Sequence, residues 1–327
     1  LSLAASSFLP MHSVAEAQVL RAKFEPPDGK VLLIVGQDKT SIDAYVNAIN
    51  IVPGGTMVYT SVQNAEGLAA PYDGGGGLHH GQYLVDQYPN TVIQVGLWMV
   101  DALGDVSSGA LDGNIDAIGA WIKNSGRPVF LRIGYEFDYP ANHYGPAAYV
   151  QAYRHIVDRL RNNNVANVAF VWHSYANLPE HPLSDWYPGD DYVDWVGMSV
   201  FGPPNVYMTQ LADLARQHQK PLMIAEATPF GTGTLQGDTS WTNWFAPFFQ
   251  FVADNGVKAV SYIDYDWESY PMFQWQGCGD ARVQDNDIVK GRWLQETGQD
   301  KYLQSSPDLY QQLGVPAAPA NLRIEGM

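Results

Sequence analysis

Pro128-Val-Phe-Leu-Arg-Ile-Gly-Tyr-Glu-Phe-Asp138 begins as an apolar strand and ends on Tyr135, Glu136 and Asp138. Unpaired charge is expensive to bury, so a core strand has no use for a carboxylate at its tip. A strand that delivers one to its C-terminal end fits the rim of an α/β barrel, where chemistry is usually placed. Pro221-Leu-Met-Ile-Ala-Glu-Ala-Thr-Pro229 repeats the plan with Glu226. Strand side chains alternate, so Arg132, Gly134 and Glu136 are expected to share one face, as are Leu222, Ile224 and Glu226. If those faces line a barrel, both glutamates point into its mouth. Gly134 would then leave room below the acid, and Arg132 would lie deeper, in need of a partner.

Six more apolar, β-branched runs surround these two. They are Lys30–Asp38, Thr56–Val62, Thr91–Met99, Asn167–Ser174, Val193–Phe201 and Val257–Asp264. Amphipathic stretches separate them, near Ser41–Ile51 with Ser41 as cap, His80–Gln87, Asn114–Asn124, Pro146–Arg161, Tyr207–His218 and Thr242–Asp254. Pro146 suits a first helical position. Further helices are expected near Ile288–Glu296 and Pro307–Leu313. Eight strands alternating with helices predict a parallel sheet closed as a single (β/α)8 barrel over residues 30–315, with an open doubly wound sheet as the alternative. Residues 1–29 are expected to form an N-terminal arm and 316–327 a tail.

The balance of 18 Lys+Arg against 34 Asp+Glu leaves a net charge of −16. Nucleic acids and anionic membranes need a basic footprint, so both are disfavoured and neutral polymers fit more easily. The ten Trp, nineteen Tyr and twelve Phe supply core bulk or flat faces for sugars. Cys278 is the only cysteine, which precludes an intramolecular disulfide. No apolar run reaches the ~18 residues that suggest a membrane span. Leu1–Pro10 is apolar, and Ala15-Glu-Ala-Gln18 faintly resembles a signal-peptidase site without a basic region before it. Secretion or a periplasmic location is the expectation.

Two strand-end glutamates suggest a glycosidase pair, although either alone would also serve as a rim salt bridge. Retaining glycosidases hold the two carboxyls ~5–5.5 Å apart, and inverting ones ~6.5–9.5 Å. Trp98, Trp172 and Trp267 lie at or just past strand ends, as sugar platforms or as core. Asp138 and His173 are candidate hydroxyl partners, as are Gln37 and Tyr59. Tyr135 has outward parity, to become a pocket wall or to pack on helices. Gly74–Gly77 lacks the spacing of a phosphate cradle. No HExxH motif or paired-carboxylate ladder occurs, so no catalytic metal is expected, and the lack of a G-x-S-x-G elbow argues against a Ser-His-Asp hydrolase; no cofactor is expected. A non-catalytic glycan-binding barrel and a transglycosylase or lyase remain the alternatives.

Leu131-Arg-Ile-Gly-Tyr-Glu-Phe-Asp138, Val171-Trp-His173 and Tyr262-Ile-Asp-Tyr-Asp-Trp267 resemble glycoside hydrolase family 26 of clan A. The resemblance spans roughly residues 30–300. It implies a retaining endo-acting enzyme on β-mannan or β-xylan, with Glu136 as acid/base and Glu226 as nucleophile. Two positions depart from the mannanases of that family. Tyr135 stands where they have His. Phe201 stands near the place of a Tyr that hydrogen-bonds the nucleophile, and Tyr262 is the candidate substitute.

Overall fold

The computed structural model describes residues 21–177 and 180–315. Eight parallel strands follow one another: β1 Val31–Gly36, β2 Gly55–Ser61, β3 Val92–Trp98, β4 Val129–Ile133, β5 Val168–Ser174, β6 Trp195–Val200, β7 Leu222–Ala227 and β8 Ala259–Ile263. Strand β8 pairs back onto β1, with Leu32 opposite Ala259, which closes the (β/α)8 barrel and excludes the open sheet. Among the described residues, no helix is long and apolar enough to cross a membrane.

Alternation along the strands builds two cores. Leu32, Ile34, Met57, Val92, Phe130, Val171, Trp195 and Met223 fill the barrel, while Leu33, Val35, Val95, Leu131, Trp172 and Ile224 face the helices. From the arm, Phe24 sets its edge against Phe130 at 5.8 Å, and Trp195 Nε1 donates to the Lys23 carbonyl at 2.8 Å. Residues 1–20, including the signal-like stretch, and the tail 316–327 lie outside the described residues.

The first helix, Lys39–Ile49, is capped by Asp38 rather than Ser41. Ser41 is its third residue; its amide donates to Asp38 Oδ1 at 2.9 Å while its Oγ accepts from the Asp38 amide at 3.3 Å, which makes a reciprocal capping box. Pro146 does open the helix Pro146–Asn162. The Gly-rich stretch after β2 becomes the turn of a small hairpin, with Tyr72 paired to His79 and Asp73 to Leu78.

Two local distortions at the strand ends aim the carboxyl groups. Beyond β4, Gly134 (φ 54°) and Glu136 (φ 53°) are both left-handed, so simple alternation stops at Ile133. A side chain at Gly134 would strike Met99 and Tyr149 in the outer core, so this glycine permits the turn and does not make room beneath the acid. Glutamate pays for this conformation, and the Glu136 carbonyl is held by Asn142 Nδ2 at 2.8 Å and the Tyr139 amide at 2.9 Å.

Strand β7 contains a bulge. Met198 lies opposite Ile224, but the next pair is Ser199 with Glu226, so Ala225 has no partner on β6. The register against β8 shifts at the same place. Met223 and Ala225 face the barrel interior, and Leu222 and Ile224 face the helices. Strict alternation would therefore send Glu226 outward. The extra residue turns it into the mouth, a re-aiming that bulges commonly perform.

Candidate active site

The C-terminal rim encloses a cavity of about 770 Å³. Glu136 and Glu226 both line it, with Gln37, Tyr59, Trp98, Tyr135 and Trp267 from the sequence-derived set. Tyr135 is a pocket wall, packed at 5.3 Å on the Tyr59 ring and 5.9 Å on Trp98. Trp98 is 38% exposed, whereas Trp267 is nearly buried and donates from Nε1 to Thr228 Oγ1 at 3.0 Å.

Four expected sugar contacts lie elsewhere. Trp172 points outward from β5 and is fully buried, stacked at 4.5 Å on Phe137 with Nε1 donating to the Trp186 carbonyl. Tyr262 also points outward, packing at 4.7 Å on Trp293 and donating to the Ala281 carbonyl. Asp138 accepts from Ser174 Oγ and the Tyr175 amide, both at 2.6 Å, so it ties two rim loops together. His173 faces inward but is fully buried beneath the cavity. Alternation explains two of these: on β5 the inward residues are Ala169, Val171 and His173, not Trp172, and on β8 they include Ser261, not Tyr262.

Glu226 is gripped on one oxygen. Tyr59 Oη donates to its Oε1 at 2.8 Å, and Arg132 Nη1 donates to the same atom. Tyr59 thus supplies the hydroxyl that Phe201 lacks, the role for which Tyr262 was the candidate. Arg132 is wholly buried and spends its charge on Glu226 and on the faces of Tyr59 and Tyr135, whose centroids lie 5.0 and 5.1 Å away. Gly96 makes this possible, because a Cβ there would fall 2.6 Å from the Tyr59 ring and 2.8 Å from Arg132 Nη2.

Glu136 is gripped by a different chain. Ser199 Oγ donates to Glu136 Oε1 at 2.6 Å, and His173 Nε2 lies 3.0 Å from that hydroxyl. Burial, and then the Arg132 charge, depress the His173 pKa well below its ordinary value. The neutral ring that fits carries its proton on Nε2, donates to Ser199, and accepts from Arg132 at Nδ1, 3.3 Å away. Burial first, and the Glu226 charge second, push Glu136 from 4.5 to about 8. The two carboxyls therefore occupy one cavity in different states, Glu136 protonated and Glu226 ion-paired, a division that suits an acid and a nucleophile.

Sequence reading missed Ser199, although it stands on the inward face of β6. It also missed loop residues that line the cavity, among them Glu66, His79, Tyr139, Tyr175 and Phe273. Glu66 accepts from Ser61 Oγ at 2.9 Å, and His79 packs on Tyr59 at 5.4 Å. These positions depend on loop paths, which carry no periodic signal. Among the described residues, no group of three His, Cys, Asp or Glu side chains is placed to hold a metal ion.

A family model described as glycosyl hydrolase family 26 matches residues 84–257, more than half of the chain. A β-1,3-xylanase from a Vibrio species is 34% identical over 332 residues, covering 91% of this chain and 71% of the relative. A β-1,3-xylanase from an Alcaligenes species is also 34% identical, covering 92% of this chain and 70% of the relative. In fold, the chain is similar to a family 26 β-mannanase from Bacteroides ovatus, with a TM-score of 0.61 at 15% identity over 85% of this chain and 91% of that one. With a closed barrel, two rim glutamates and these matches together, the chain belongs to glycosyl hydrolase family 26.

Proposed function

We propose that the protein hydrolyses internal linkages of β-1,3-xylan with net retention, Glu136 acting as acid/base and Glu226 as nucleophile. The observation that carries this reading is the pair of carboxyls in one cavity, one protonated up to about pH 8 and the other bound to Arg132. Ser199 occupies Glu136 Oε1, which leaves Oε2 to carry the proton. Arg132 and Tyr59 both occupy Glu226 Oε1, which leaves the other oxygen for attack.

Glu136 gives its proton to the glycosidic oxygen as the C1–O bond breaks and Glu226 bonds to C1. Glu136, now a carboxylate, then takes a proton from water as the water oxygen attacks C1 and the ester to Glu226 breaks. The choice of β-1,3-xylan rests on the two relatives with that name and on Tyr135 and Phe201, which depart from the mannanase pattern. We assign the enzyme to the cell exterior or periplasm, since an intact polymer does not cross a membrane. We also assign it a monomeric state, because one chain supplies both carboxyls and the groups that hold them.

A panel of β-1,3-xylan, β-1,4-xylan, β-1,4-mannan and mixed-linkage glucan, with products sized by chromatography, tests this. Short oligosaccharides from β-1,3-xylan are expected. Release of monosaccharide alone contradicts internal cleavage. Binding without new reducing ends points to a glycan-binding barrel, and unsaturated ends point to a lyase.

A further inference from the structure

The β7 bulge is braced from inside the barrel. Gln94 on β3 crosses the interior, and its Nε2 donates to the carbonyl of Ala225, the extra residue of the bulge, at 2.8 Å. Ser261 on β8 donates from Oγ to Gln94 Oε1 at 2.6 Å. All three residues have no solvent exposure. Barrel interiors are normally filled by branched apolar side chains, and an amide placed there costs free energy unless its polar atoms are paired. Here the pairing reaches the peptide next to Glu226. A bulged residue lies outside the regular ladder, so its carbonyl needs a partner from elsewhere.

We infer that Gln94 and Ser261 are positioning residues that hold the bulge and thereby aim Glu226. Neither faces the cavity as a lining residue, and neither hydrogen-bonds either catalytic carboxyl. The order of action is serial: Ser261 fixes the Gln94 amide, Gln94 fixes the Ala225 carbonyl, and that peptide sets the direction of the Glu226 side chain. The inference rests on the reading of Glu226 as nucleophile. A displacement of about 1 Å at a reacting group is enough to cost roughly 100-fold in rate.

The test is the rate at which a dinitrophenyl 2-deoxy-2-fluoro-β-glycoside of xylobiose labels the enzyme. Its leaving group departs without a proton, so the rate reads the attacking carboxylate apart from Glu136. Gln94→Leu is expected to label roughly 10- to 100-fold more slowly than wild type. Ser261→Ala should be slowed less, and the double variant no more than Gln94→Leu. Affinity for xylobiose itself should be unchanged by titration. A purely structural role would lower the Tm and leave the labelling rate of folded enzyme at the wild-type value. If Gln94→Leu does not fold, Ser261→Ala, which removes a single hydroxyl, carries the test. Peptide mapping of the label separates the two readings. Wild-type-rate labelling of Glu226 in both variants overturns the positioning role alone. A label on another residue overturns the nucleophile assignment, and this inference with it.

Discussion

Tyr59 Oη donates to Glu226 Oε1 at 2.8 Å, from a residue 167 positions away in the chain. Arg132 binds the same oxygen, so the carboxylate is oriented by two donors on one side and open on the other. A hydrogen bond to a charged group is worth about 1.5–3 kcal/mol. Tyr59→Phe is therefore expected to lower kcat roughly 10- to 150-fold with little change in fold, because the ring remains. Steady-state kinetics on xylan checks this, and wild-type kcat would remove Tyr59 from the mechanism.

The state of Glu136 sets an upper pH limit. Its carboxyl, raised to about 8 by burial and then by the Glu226 charge, must be protonated to act, so kcat/KM should fall as pH rises through that value. The same shift affects stability. A raised carboxyl pKa adds stability that is fully present below the ordinary value of 4.5 and is lost as pH rises through about 8. Glu136→Gln carries no charge at any pH, so its Tm advantage over wild type should grow between about pH 5 and pH 9. Parallel Tm profiles for the two proteins would contradict the shift.

Gly96 has no side chain because the Tyr59 ring and the Arg132 guanidinium occupy the space. Gly96→Ala should push both off Glu226 and depress kcat by at least tenfold, the scale expected of sub-ångström misplacement. The fold should survive, since both displaced groups border the cavity or its floor. An active Gly96→Ala enzyme with wild-type kcat would contradict the packing.

The tryptophans divide by position. Trp98 is partly exposed on the cavity wall, so Trp98→Ala should raise KM and leave the Tm near the wild-type value. Trp172 is sealed behind β5, so Trp172→Ala should destabilise the fold by about 3–5 kcal/mol. Denaturant melts and Michaelis curves for both variants check the division, and a reversed pattern would contradict it.

The barrel was legible in the sequence because eight apolar runs at helix-length spacing leave few other arrangements. Glu136 and Glu226 were legible as strand-end carboxylates, but the reasoning that placed them on an inward face failed for Glu226. Alternation would turn it outward, and the Ala225 bulge reverses that. No residue pattern on β7 announces the bulge. Trp172 and Tyr262 could have been excluded by the same alternation, since both stand one residue out of phase with inward neighbours. Glu66, His79 and Tyr175 could not have been found this way, because their positions follow from loop paths.

The two assigned carboxyls can be told apart in one experiment. Glu136→Ala and Glu226→Ala are each supplied with azide and a dinitrophenyl β-xylobioside, and the product anomer is read by proton NMR. With Glu226 intact, the glycosyl ester of Glu136→Ala should be resolved by azide to a β-glycosyl azide. With Glu226 absent, azide should enter the vacated space and displace the leaving group directly, giving the α-glycosyl azide. Azide products of swapped configuration, or no azide product from either variant, would contradict the assignment of Glu136 as acid/base and Glu226 as nucleophile.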